Sequence, residues 1–234
     1  MNNGLIIDRN DGLKERREPL DAPRHPLVRV LAKVISYVFH PLFIPVYLAW
    51  FLITQQPYLF ASFTPMKKII TLVQFFIMYS FFPLVTVLLA KGLGFLESIY
   101  LRTQKERIIP YIACNIYYFW MCYVLRHQPE YSREVIQLTL AIFIASTIGL
   151  IANIYMKISM HAISMGMLMA FMLLLAFTQA NNFGMYISIA FLIAGLVCTA
   201  RFIVSDHTQK EIYIGLFTGI ISQVLAVWAD KILP

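Results

Sequence analysis

Seven stretches of 18 to 24 predominantly apolar residues follow one another along this chain with only short polar linkers between them: 30–53, 69–90, 108–126, 135–156, 162–179, 183–200 and 212–230. About 20 such residues cross a hydrocarbon core roughly 30 Å thick. Hydrophobic residues make up 59% of the chain and charged residues 13%, and the mean hydropathy is +0.70, values that no ordinary soluble domain sustains. The expected fold is all-α: a polytopic transmembrane helical bundle of six to seven spans, multi-pass in the plasma (inner) membrane. The range reflects the first run, which His40-Pro41 and Pro45 interrupt, so that it kinks or re-enters rather than crossing straight.

Residues 1–29 form a basic polar tail, and 30–234 a single transmembrane domain. The apolar runs follow each other too closely for a second, soluble domain. Arg9, Lys14, Arg16, Arg17, Arg24 and Arg29 lie before the first span. A basic segment beside a span sets topology or touches anionic headgroups, so membrane lipids and not nucleic acid are the expected contacts. Mixed charge and few aliphatic residues make the tail a mobile or surface-lying segment. It has no short apolar run followed by a small-residue cleavage site, so no cleaved secretory signal is expected. Cys114, Cys122 and Cys198 all lie inside apolar runs, which argues against a disulfide framework or a thiolate metal site.

Against this apolar background stand three polar clusters, each beside the end of a run: Lys105 and Arg107 with Pro110; Ser159 with His161; and Arg201, His207 and Glu211. Charge next to lipid is expensive, so clusters of this kind mark function. Spans three and four cross out and back between the first cluster and the second, and spans five and six do the same before the third. All three therefore fall on one side of the membrane. If all seven runs cross, that side carries 13 of the 19 Lys and Arg residues, which makes it cytoplasmic by the positive-inside rule. The assignment reverses if the first run does not cross.

The pattern Arg201-x5-His207-x3-Glu211, preceded by Ser159-x-His161 and by Lys105-x-Arg107 near Pro110, resembles the three-part signature of the type-2 phosphatidic acid phosphatase family of membrane lipid phosphatases, over roughly residues 100–230. That family's motifs read Lys followed seven residues later by Arg-Pro, then Pro-Ser-Gly-His, then Ser-Arg-x5-His-x3-Asp. This chain departs from them with a compressed Lys-x-Arg-x-x-Pro, with Ile158 and Met160 for the Pro and Gly, with Ala200 for the Ser and with Glu211 for the Asp. The resemblance implies that His207 attacks phosphorus to form a phosphohistidine and that His161 is the general acid.

The residue types also suit the chemistry by themselves. Hydrolysis of a phosphate ester needs cations on the equatorial oxygens, an in-line nucleophile and a proton for the leaving oxygen. Arg201, Lys105 and Arg107 suit the first task, the arginines because a planar fork matches two oxygens. Glu211 lies one helical turn beyond His207, where it can hold the ring tautomer. Ser159 can cap the helix that His161 opens while facing an anion. The expected activity is hydrolysis of a lipid or polyprenyl phosphate or diphosphate, with no metal and no cofactor. The alternative is a catalytically silent relative that binds or moves anionic lipid. A weaker third reading has His161 and His207 ligating haem or another metal, which a visible absorption spectrum would reveal.

Other polar residues have plainer explanations. His25, His40 and His127 read as interfacial histidines, with His40-Pro41 also able to line a cavity. Arg102, Lys157 and Lys210 read as snorkelling anchors, and Asn115, Asn153, Gln74 and Gln223 as interhelical hydrogen-bond partners. Met165-Gly166-Met167-Leu168-Met169 reads as flexible helix packing. Tyr117, Tyr118, Trp120 and Tyr123 read equally as an interface belt or as walls for a lipid chain.

Overall fold

The computed structural model describes residues 5–8, 12–15, 25–101, 103–178, 183–204 and 207–232; Arg102 and most of the basic tail lie outside the described residues. Six helices in it are long and apolar enough to cross a membrane: Pro65–Gly92, Gln104–Arg126, Arg133–Tyr155, Met160–Thr178, Gly184–Val204 and Gln209–Ile232. They match the last six runs of the sequence. The protein is a helical membrane bundle, and a short antiparallel hairpin of Leu5–Asp8 with Gly12–Glu15 is the only sheet among the described residues.

The first run is not one straight span. It forms α1 (Pro26–Val38) and α2 (Ile44–Gln55), separated by a turn at His40-Pro41. Proline has no N–H to donate and clashes with the preceding turn, so the helix stops there. Neither piece approaches the roughly 20 residues a crossing needs. The first long span follows as α3 (Pro65–Phe76) and α4 (Phe82–Gly92), joined through a π-turn over Ile77–Phe81. Pro83 cannot close the ladder there, and the wider turn absorbs the defect. From that span the Ser80 hydroxyl donates to the Leu42 carbonyl at 2.7 Å and so holds the α1–α2 turn in place.

The remaining spans are α5 (Gln104–Arg126), α6 (Arg133–Tyr155), α7 (Met160–Thr178), α8 (Gly184–Val204) and α9 (Gln209–Ile232). At one end of the bundle Asp230 of α9 accepts from Arg126 of α5 at 3.2 Å and from Arg133 and Gln137 of α6 at 3.2 and 3.0 Å. At the other end α5 begins where α6 stops: Gln104 Nε2 donates to the Asn153 carbonyl at 2.7 Å, and Asn153 Nδ2 donates to the Gln104 carbonyl at 2.9 Å. Asn115 accepts from Thr147 across the same helix pair. Asn115 and Asn153 thus act as interhelical partners. Among the described residues the buried side-chain carbonyl oxygens of Gln74 and Gln223 have no hydrogen-bond partner.

α7 packs most closely on α9, and glycine makes that possible. A Cβ at Gly166 would sit 2.8 Å from the Leu216 carbonyl carbon, and one at Gly219 would sit 2.6 Å from the Met167 nitrogen, with the Ile163 carbonyl oxygen closer still. Gly215 and Gly219 are four residues apart, the small-residue spacing that lets membrane helices touch backbone to backbone. α1 packs against α8, burying Ala32 and Ser36, while Leu27, Val30, Leu31, Val34 and Tyr37 remain exposed, as suits a lipid-facing surface.

A histidine-rich candidate active site at one end of the bundle

Because α5, α7 and α9 all begin at the same end of the bundle, and α8 ends there, the three polar clusters of the sequence meet. Their parity is realised in direct contacts. Arg107, 6% exposed, donates from Nη1 to the carbonyl of Ile158 at 2.8 Å and from Nε to the carbonyl of Leu101 at 3.0 Å. It thereby pins the start of α7 to the start of α5 and lies within electrostatic reach of His207 and Glu211. Leu101 is the one non-glycine residue with positive φ (49°) among the described residues.

The His207–Glu211 pair is built by a helix cap. Thr208 precedes α9 and Glu211 is its third residue: the Glu211 N–H donates to Thr208 Oγ1 at 3.3 Å, and the Thr208 N–H donates to Glu211 Oε2 at 2.9 Å. This reciprocal arrangement is a capping box. The same oxygen accepts from His207 Nδ1 at 3.1 Å. A carboxylate can only accept, so the ring carries its proton on Nδ1 and presents a bare Nε2. The extra methylene of Glu over Asp lets one oxygen serve both the cap and the imidazole. Burial depresses the His207 pKa below the ordinary imidazole value; the Glu211 hydrogen bond and charge oppose that shift, whereas the Arg107 and Arg201 charges reinforce it. The net direction favours the neutral ring.

His161 opens α7. Its Nε2 lies 3.1 Å from the Ser36 carbonyl of α1, an acceptor only, so Nε2 carries the proton and Nδ1 is the free nitrogen. Arg201, His207 and His40 all lie within electrostatic reach of this ring. Ser159 is fully buried and caps α7 as its position predicts, accepting from the Ala162 N–H at 3.4 Å, while its own N–H donates to the Glu211 carbonyl at 3.4 Å. Its backbone contact ties α7 to α9.

Two residues differ from the sequence reading. Lys105, expected beside Arg107, is exposed and lines a separate surface depression with Phe95, Glu97, Thr103 and Glu106. Residues two apart on a helix point about 200° away from one another, so Lys105 and Arg107 cannot both face one point. The second is His40, read as an interfacial residue that with Pro41 is also able to line a cavity, but not as a neighbour of the catalytic ring. Its ring stands edge-to-face with His161 at 5.2 Å between centroids, and it also lies within reach of Arg201. Only the position of the broken first segment brings it there. His25 caps α1, and the His127 ring lies tilted against Tyr123 at 4.2 Å between centroids at the far end of α5.

A small apolar cavity of about 70 Å³ is walled by Pro41 and Leu42, next in sequence to His40, by Met160, next to His161, and by Tyr111 and Cys114 of α5 and Ser164 of α7, among others. Among the described residues no three His, Cys, Asp or Glu side chains gather as a metal-ligand set. Comparison with known proteins returns no matching family model, no matching curated protein and no matching solved structure.

Proposed function

We propose that the protein is an integral membrane phosphatase of the inner membrane that hydrolyses a lipid or polyprenyl phosphate or diphosphate through a phosphohistidine on His207, as a divergent relative of the type-2 phosphatidic acid phosphatases. One observation carries this reading: a buried histidine whose Nδ1 is held by a carboxylate, leaving Nε2 as the free face of the ring, set among two arginines and a second histidine at the end of a lipid-embedded bundle.

In the first step His207 Nε2 attacks phosphorus, the bond from phosphorus to the leaving oxygen breaks, and that oxygen takes a proton from His161 Nδ1. Glu211 stabilises the positive charge that develops on the His207 ring. Arg201 and Arg107 balance charge on the phosphoryl oxygens. His161 Nδ1 is bare in the empty site, so it first takes up a proton from bulk water as the substrate enters; the arriving dianion favours this charged ring, which arms it as the acid. In the second step His161 Nδ1 removes a proton from water, the water oxygen attacks phosphorus, and His207 leaves as the neutral imidazole. Inorganic phosphate and the alcohol, or a monophosphate from a diphosphate, are the products. The apolar cavity beside Met160 and Pro41 receives the first methylenes of the acyl or prenyl chain.

The test is release of inorganic phosphate in detergent from phosphatidic acid, a polyprenyl phosphate and a polyprenyl diphosphate. Release from at least one of them, lost in His207→Ala, is expected. Binding of these lipids without release would favour a silent binder with the same cationic site.

A further inference from the structure

His40 lies outside all three polar clusters that carry the phosphatase resemblance, on a turn between two helices too short to cross a membrane. Yet this turn is held as firmly as the site itself. The Ser80 hydroxyl fixes the Leu42 carbonyl at 2.7 Å, and the Leu42 N–H in turn donates to His40 Nδ1 at 3.4 Å. An imidazole nitrogen that accepts a hydrogen bond is unprotonated, so the proton of the neutral ring is on Nε2. Burial, and then the positive charge of Arg201, hold the His40 pKa down to about 4, so the ring is a neutral donor across the physiological range. The ring is only half-buried, stands 5.2 Å from His161 and is within electrostatic reach of Arg201, the two side chains assigned above to the leaving oxygen and the phosphoryl charge. Pro41 and Leu42, the next two residues, wall the apolar cavity. The turn therefore borders the site where a headgroup and its chain join.

Resting on the phosphatase reading, we propose that His40 is a third histidine of the active site, donating a hydrogen bond from Nε2 to a phosphoryl oxygen of the lipid phosphate. The broken first segment then has a function: it carries a substrate ligand and, through the Ser36 carbonyl, orients His161.

The test compares full-length wild type with His40→Phe, which keeps an aromatic ring but removes the donor, and His40→Gln, which restores an N–H donor. Vanadate binding to the purified protein in detergent and KM and kcat for the best lipid phosphate are read together. Loss of a hydrogen bond to a charged oxygen should weaken vanadate binding and raise KM about tenfold in His40→Phe, with recovery to within about threefold of wild type in His40→Gln. A purely structural role would leave both variants equally impaired or lower kcat alone, and either result overturns the proposal. If His40→Phe does not fold, His40→Leu carries the same comparison. Should wild type bind and hydrolyse normally while His40→Phe matches it, only the His40 assignment falls. If wild type neither binds vanadate nor releases phosphate, the phosphatase reading and this one fall together.

Discussion

Replacing Gly219 by alanine places one methyl group between two backbones. The new Cβ would sit 2.6 Å from the Met167 nitrogen and closer to the Ile163 carbonyl oxygen, and neither atom belongs to a side chain that can rotate away. Raising 2.6 Å to the 3.4 Å at which ordinary contact begins parts the α7 and α9 backbones by about 0.8 Å at least, at the pair of helices that carries His161 and Glu211. Overpacking of this kind costs up to about 3 kcal/mol, and for a chain of this size that lowers the unfolding midpoint by on the order of 10 °C. Gly195 on α8 is the internal control: a Cβ there meets nothing within 4 Å, so Gly195→Ala removes a flexible residue from a helix at no packing cost and should gain about 0.5–1 kcal/mol. Thermal unfolding in detergent, followed by size-exclusion profile or intrinsic fluorescence, separates the two. The reasoning is refuted if Gly219→Ala melts with wild type or if Gly195→Ala is the more damaging of the pair.

Glu211→Gln removes the charge that raises the His207 pKa, and because the amide can present its NH2 in place of its oxygen it no longer fixes the His207 tautomer; kcat should fall on the order of 10³-fold. The nucleophile must be neutral, so activity declines as pH falls through the His207 pKa, and with the raising influence gone that acid limb should move to lower pH; a limb that moves up, or an unchanged kcat, contradicts the pairing. Lys105→Ala should leave kcat/KM within about twofold of wild type, since the side chain is exposed on another surface, and a loss of tenfold or more would return Lys105 to the site.

The six long spans could be read from hydropathy because lipid leaves a chain little choice: about 20 apolar residues must close all their backbone hydrogen bonds internally. The break at His40-Pro41 was equally legible, since proline chemistry is local. Counting crossings places Arg107, His161, Arg201, His207 and Glu211 on one side; contacts such as Arg107 to the Ile158 carbonyl and Ser159 N–H to the Glu211 carbonyl draw their helices together there. The separation of Lys105 from Arg107 is legible in the 100° helical step, which the residue-type match to the motif does not contain. Thr208-x-x-Glu211 and Gly215-x3-Gly219 carried their signals openly, one as a capping box and one as a close-packing stripe, and both bear on the site: the first sets the Glu211 oxygen, the second draws α9 onto α7. His40 was different. A histidine before a proline in an apolar run has the same local signature whether it meets headgroups or a catalytic ring. Only the docking of α1 on α8, and the Ser80 tie to the turn, decide which.

The covalent intermediate is the most direct test of the central claim. Purified protein is mixed with a phosphorus-32-labelled lipid phosphate, quenched in alkaline detergent within the first turnover and separated from lipid. The account predicts label retained on wild type that is stable to alkali, released by acid and absent from His207→Ala, which also releases no phosphate. Label of the same kind on His207→Ala, or continued phosphate release by that variant, would contradict it.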